Sequence, residues 1–291
     1  MARDYFSTGE LKLETRTVGS ESWSMTYGAS LQGRALTYED VLGQTQHYKY
    51  DKAGRLEKTW LGGLRTTFDY DDLGNLKSYK TCDGIEGEDE DEAACERWLL
   101  TELEYDDLGR EELRRFTFPG SVQELTQKYS ALDQLTLRTL TENGELLREE
   151  TYSYDLRGRL EGYTCKGPQA PQDPCGKTIR EQQFLFDSID NITWVYTAFD
   201  GAGGKQDSNE ATYLFENEAD PAQLTGIENT HADYLPSVTL TYDPDGNMTT
   251  DEQGRTYDYD PLGRLQSVKL LDGTVAGYGY DSLDRLASQD S

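Results

Sequence analysis

The chain has 291 residues, 35% of them hydrophobic, with 20 Tyr against 8 Phe and a formal net charge of −27 from 28 Lys+Arg and 55 Asp+Glu. A thick-cored α/β enzyme of this length would carry more aliphatic residues. So acidic a chain also repels phosphate backbones and anionic lipid, so neither nucleic acid nor a membrane surface is an expected partner. Tyrosine suits a half-wet sheet, because its ring packs while its hydroxyl reaches water or a polar partner. The aromatic content and regular turn signals argue against disorder.

In chain order, the opening Met1-Ala-Arg-Asp-Tyr-Phe-Ser lacks the apolar stretch of a signal peptide. Residues 1–24 read as a leading strand segment. No window approaches the roughly 18 apolar residues of a membrane span. From 25 to 291 one pattern recurs: an aromatic, Asp, two variable residues, Gly, Arg or Asn, then Leu. Its clear copies begin at Tyr50-Asp51 (with Gly54, Arg55, Leu56), Tyr70-Asp71 (Gly74, Asn75, Leu76) and Tyr105-Asp106 (Gly109, Arg110). Further copies begin at Tyr154-Asp155 (Gly158, Arg159, Leu160), Tyr242-Asp243 (Gly246, Asn247, Met248) and Tyr259-Asp260 (Gly263, Arg264, Leu265). Degenerate copies are expected at Tyr38-Glu39, Tyr129-Ser130, Phe186-Asp187 and Tyr280-Asp281, and Phe215-Glu216 opens a divergent one. In three of these Asp133, Asp190 or Asp284 stands where Gly would be.

Each position has a physical role. Aromatics two apart, as in Tyr48/Tyr50, Phe68/Tyr70 and Tyr257/Tyr259, share one strand face. Asp starts a turn by accepting backbone N–H groups. Gly supplies the positive φ that ends a short hairpin loop, a place Asn or Asp also tolerates. Leu opens the return strand opposite the aromatic. Arg can pair with the turn Asp, though an exposed pair adds little stability. The prediction is hairpin after hairpin, with a unit of about 20 to 25 residues matching two short strands and their turns.

Cys82 and Cys95 bracket a strongly acidic insertion, and Cys165 and Cys175 bracket a Pro-rich one. Each pair is spaced to close its loop as a local disulfide in an oxidising setting; free thiols are the alternative in a reducing one. Neither spacing is that of a zinc site. The acidic run from Asp83 to Glu92 lacks the alternating ligand order of a Ca²⁺ loop and reads as solvated. Glu86 to Leu100 contains enough helix formers for one short helix. No metal, cofactor or catalytic residue is expected: His47 and His231 lie in no recognisable nucleophile motif, and Asp200-Gly-Ala-Gly-Gly204 reads as a hairpin tip. Two sequons, at Asn191 and Asn247, matter only in a eukaryotic secretory setting.

The ordered Tyr-Asp-x-x-Gly-Arg-Leu copies resemble YD-repeat proteins: bacterial Rhs polymorphic toxins, the B and C components of Tc toxins, and teneurins. The likeness covers roughly residues 25 to 291. It implies an all-β fold, a long spiralling antiparallel sheet forming part of a β-cocoon. It further implies a non-catalytic shell segment that encapsulates a C-terminal toxic cargo. The implied partners are that cargo and further shell repeats, with a secretion apparatus, of type VI or another dedicated kind, reached through other segments. The protein would then be made in the bacterial cytoplasm and delivered by that machine. Complete shells end in an Asp-Pro-x-Gly core; the nearest pieces here, Asp220-Pro221 and Asp243-Pro-Asp-Gly246, sit inside repeats, so the chain is expected to be a shell fragment. The alternative function is an adhesive module whose exposed aromatics bind glycans or proteins.

Overall fold

The computed structural model describes residues 1–18, 20–85, 95–201, 203, 205–280 and 284–290, and among them every regular element is a β-strand. The chain divides into two compact units, Met1–Lys128 with Arg138–Leu146, and Tyr129–Leu137 with Leu147–Ser291.

The first unit is built on β1 (Ala2–Tyr5), β2 (Leu11–Val18), β3 (Glu21–Ala29), β4 (Ala35–Glu39), β5 (Thr45–Tyr50) and β6 (Leu56–Leu61). It continues through β7 (Leu64–Tyr70), β8 (Leu76–Asp83), β9 (Arg97–Tyr105), β10 (Glu111–Phe118) and β11 (Ser121–Tyr129). Each of these strands pairs antiparallel with the next. β12 (Leu135–Glu142) contributes residues to both units.

The second unit contains β13 (Glu145–Tyr154) from Leu147 onward, β14 (Leu160–Lys166), β15 (Ile179–Phe186), β16 (Ile192–Asp200), β17 (Gln206–Leu214), β18 (Gly226–Asn229) and β19 (Ser237–Thr239), again paired in order. A separate six-stranded sheet follows: β20 (Thr241–Tyr242), β21 (Met248–Thr250), β22 (Thr256–Tyr259), β23 (Leu265–Lys269), β24 (Val275–Tyr280) and β25 (Leu286–Asp290).

Local chemistry explains the strands. β-Branched and aromatic residues fill them, and Thr hydroxyls bond across the ladder, as at Thr66–Thr81 (2.9 Å) and Thr15–Ser24 (3.0 Å). The buried apolar set is small, with Met25, Cys82, Ile85 and Leu103 in the first unit, and Tyr163, Cys165, Val195, Ala198, Phe199, Ala211 and Leu240 in the second. The chain exposes 18109 Å² for 32.9 kDa, against about 12,500 Å² for a compact protein of that mass.

The helix expectation for Glu86–Leu100 is corrected at its C-terminal end: Arg97–Leu100 opens β9, where Cys82 pairs with Trp98 and Asp83 with Arg97. The acidic residues 86–94, and with them most of the Ca²⁺-loop candidate, lie outside the described residues, as do Ala202 and Gly204 of the glycine-rich hairpin tip and Asp281 of the last copy.

Because consecutive strands are antiparallel, turns alternate between the two rims of each sheet. In the first unit the turns at 30–34, 51–55, 71–75 and 106–110 share one rim, while 40–44 and 62–63 lie on the other, with the ends of β8 and β9 at Asp83 and Arg97. In the second unit 155–159 and 187–191 share a rim, and the connections 167–178, 201–205 and 230–236 lie opposite. The insertion between Cys165 and Cys175 thus lies on the rim away from the Asp155 and Asp187 turns.

Candidate functional site

The recurring site is the turn together with what it reaches in the next hairpin. In the Tyr50 copy the Asp51 N–H donates to the Arg55 carbonyl (2.9 Å) and the Gly54 N–H donates to the Asp51 carbonyl (2.9 Å). One Asp51 carboxylate oxygen accepts the Arg55 N–H (2.8 Å), and the other accepts Arg55 Nε (2.8 Å). Gly54 takes φ +85° to close this loop, a conformation costly for a residue with a Cβ. The same frame recurs at Asp71, Asp106, Asp155, Asp243 and Asp260 with Gly74, Gly109, Gly158, Gly246 and Gly263. Asn stands in for Arg within the turn, since Asn75, Asn191 and Asn247 donate Nδ2 to Asp71, Asp187 and Asp243 at 2.8–2.9 Å. The sequon asparagines are thus engaged inside their turns. In the degenerate copies Asp133, Asp190 and Asp284 occupy the left-handed position at φ 63°, 73° and 61°.

These contacts set the charge state of the turns. The backbone N–H and guanidinium of Arg55 hold the Asp51 carboxyl below its usual range. The Asn75 amide does so for Asp71, and the side chains of Arg110 and Arg264 do so for Asp106 and Asp260.

Every such turn also carries a bulge. Tyr50 pairs with Leu56 while Lys49 pairs with Lys58, so Glu57 is skipped; Tyr70/Leu76, Tyr154/Leu160 and Tyr259/Leu265 repeat the shift. The bulge interrupts the ladder at the Leu, and the tyrosine hydroxyl of a following hairpin takes up that carbonyl. Tyr70 Oη donates to Leu56 O (2.9 Å), Tyr105 to Leu76 O (2.9 Å), Tyr154 to Leu135 O (2.8 Å) and Tyr280 to Leu265 O (2.9 Å). The motif arginine reaches the same neighbour. Arg55 lies over the Tyr70 ring at 4.5 Å, Arg159 over Phe186 at 4.6 Å and Arg264 over Tyr280 at 5.0 Å. Arg159 and Arg264 further donate Nη1 to Asp190 and Asp284, each at 2.6 Å. The motif is therefore a two-way fastener, closing its own turn through Asp and Gly and binding the next hairpin through Arg and Tyr.

Some turns escape a pattern keyed to the aromatic. Ser30 with Gly33, Asp40 with Gly43, Asp173 with Gly176 and Asp251 with Gly254 form the same hydrogen-bonded loop. The copy expected at Tyr38-Glu39 is displaced, since its turn begins at Asp40, whose carboxylate accepts Leu42 N (2.8 Å) and Gln44 N (2.9 Å). A search for Asp or Ser followed by Gly three residues later finds all four.

The remaining sequence candidates fall into two groups. The four cysteines form no disulfide in this structure: Cys82 and Cys165 are buried, Cys95 is half-buried, and Cys175 is exposed at the tip of the Asp173 turn. His47 stacks on Trp60 at 4.9 Å within the sheet. The two ring nitrogens of His231 contact Asp207 Oδ2 and the Asp233 N–H, each at 3.1 Å. Among the described residues no group of three or more His, Cys, Asp or Glu is placed to hold a metal ion, and no helix is long and apolar enough to cross a membrane.

The geometry defines a YD-type β-hairpin array. Residues 259–291 match the RHS repeat family model, and the turn at Asp260 within that stretch is the one that recurs along the chain. No curated protein matches. Among solved structures the chain is similar to one in the TcdB2-TccC3-TEV crystal structure, at 15% identity and TM-score 0.30, over 96% of this chain and 20% of that chain. It is also similar to one in a mutant Photorhabdus luminescens Tc holotoxin pore, at 15% identity and TM-score 0.28, over 98% and 22%. A porin-like protein from Bacteroides uniformis scores likewise, at 15% identity and TM-score 0.28, over 84% and 89%. The chain spans about a fifth of the length of the Tc-toxin chains it matches.

Proposed function

We propose that this chain is a segment of the β-sheet shell of a bacterial Rhs- or Tc-type toxin, and that it serves to contain a toxic cargo rather than to catalyse. The observation that carries this reading is the use of the motif's polar atoms. The Asp carboxylate of the repeats is taken up in closing its own turn, and the Arg guanidinium and the Tyr hydroxyl in joining one hairpin to the next. Such groups extend a sheet and leave no poised acid, base or nucleophile. A sheet fastened hairpin by hairpin makes a wall that excludes proteases, and its partners would be the cargo and further repeats. Manufacture in the bacterial cytoplasm and delivery by a dedicated apparatus, of type VI or Tc kind, follow from this reading.

The adhesive alternative needs rings with free faces. Tyr27 leans on Tyr38 (5.3 Å), Phe68 on Tyr79 (6.0 Å) and Tyr152 on Tyr163 (5.6 Å) across strands, which favours the wall.

The test is limited proteolysis of the complete natural gene product. Containment requires that a segment outside this array resist protease in the intact product and become sensitive once these repeats are deleted. Equal sensitivity in both forms refutes it.

A further inference from the structure

The face of the second unit's sheet is walled in one place. Strand register lays Val195 beside Ala211, Tyr213 beside Ile227, and Ile227 beside Val238 on one face of β16–β19. The small Ala211 leaves a hollow between its larger neighbours. Two same-rim connections, far apart in sequence, rise over this floor and are tied together. The Tyr234 hydroxyl donates to the Asp173 carboxylate, Lys177 pairs with Asp233, and Lys177 and Tyr234 both pack on the buried Phe199. The result is a cavity of about 450 Å³, floored by these apolar side chains together with Gln182, Thr197, Asn209 and Asn229, and walled by Pro174, Cys175, Tyr234 and Leu235. That volume falls in the range of ordinary ligand pockets. The Tyr213 hydroxyl in its floor has no hydrogen-bond partner among the described residues.

The rim of the hollow is acidic. Asp173 and Asp233 lie on the walls and Glu252 on a neighbouring turn, Asp207 stands nearby on His231, and Lys177 is the cation facing them. Lys177 is itself neutralised by Asp233. A mostly apolar floor inside an anionic rim, on a chain of net charge −27, selects an apolar group carried between cations.

We infer that this hollow is a binding site for a basic polypeptide, taking one aromatic or branched aliphatic side chain flanked in its own chain by lysine or arginine. The cavity and its charge alone define this site, whether or not the chain encloses a cargo.

The wild-type protein carries its own reporter, because Cys175 is exposed at the cavity wall while Cys82 and Cys165 are buried. The probe is a capped pentapeptide with one phenylalanine between two pairs of lysines. It is compared with the same peptide carrying glycine for phenylalanine, and with one carrying glutamates for lysines. Iodoacetamide labelling of Cys175 and Cys95 is followed by mass spectrometry, and affinity by calorimetry. The lysine–phenylalanine peptide should slow Cys175 labelling at least about fivefold at saturation and leave Cys95 unchanged. It should also bind at least about tenfold tighter than either control, through apolar burial against the glycine peptide and through charge against the glutamate peptide. Ala211→Leu, which fills the hollow, should weaken binding about tenfold or more with the far-UV spectrum unchanged. If that variant fails to fold, the peptide comparison on wild-type protein decides. Equal effects of the phenylalanine and glycine peptides, or no protection of Cys175, overturn the inference.

Discussion

The bond from the Tyr70 hydroxyl to the Leu56 carbonyl can be removed without touching the ring, by Tyr70→Phe. The bond is 2.9 Å long and half-buried, and it meets Leu56 where the bulge interrupts the β5–β6 ladder. A neutral hydrogen bond contributes about 1 kcal/mol net, and a carbonyl that stays within reach of water keeps the cost near that figure rather than near 3. Arg55 stays over the ring in the variant, so the cation–π contact survives. A loss of ~1 kcal/mol raises local opening about fivefold. Hydrogen exchange measured by mass spectrometry on peptides covering β6 and β7 should show that rise, while β13 and β14 stay unchanged. Tyr70→Leu, which removes ring and hydroxyl together, should cost about 0.5–1 kcal/mol more through the lost cation–π contact. Exchange in β6 within twofold of wild type, or a uniform rise along the chain, would refute the view that the hydroxyl joins hairpins locally.

Three further outcomes follow from the turns. Gly74 has φ +91° and open space where a Cβ would stand, so Gly74→Ala should cost about 1–2 kcal/mol from strain alone, and Gly74→Asn clearly less, read as urea midpoints. The turn carboxyls Asp51, Asp71, Asp106 and Asp260 all sit below their ordinary range when folded. Their stabilisation is therefore complete above the unfolded value of about 4 and is lost as pH falls through the lower folded values; circular dichroism in fixed urea should show weakening below pH ~4 that Asp71→Asn blunts. Leu156 at the Asp155 turn tip is 108% exposed, so Leu156→Ser should shift the thermal midpoint by no more than about 0.5 kcal/mol allows.

What was legible in the sequence is what a residue does to its own turn. Asp51 and Gly54 act within five residues, so composition and spacing sufficed. The stacking of Arg55 on the Tyr70 ring and the bond from Tyr70 to Leu56 were not legible, because they depend on which strand lies alongside and on the bulge that shifts its register. Nor were Asp40, Asp173 and Asp251, since no aromatic immediately precedes those turns. The walled hollow was beyond reach for the same kind of reason: Asp173 and Tyr234 belong to different connections, and only strand order brings them onto one face.

The antiparallel order also explains why insertion and repetition coexist. Two strands return the chain to the rim it left, so a motif needed once per two strands always lands on the same rim of its sheet, and its Arg and Tyr find the neighbours they require. On the opposite rim Asp40, Asp173 and Asp251 close turns of the same kind, but no aromatic immediately precedes any of them. The 167–178 connection can therefore lengthen and fold over the sheet without disturbing the Asp155–Arg159 and Asp187–Asn191 turns on either side of it. This is where the chain gains individuality: the fastened rim builds a repeating wall, and the free rim is open to build a pocket, as Asp173, Cys175 and Tyr234 do.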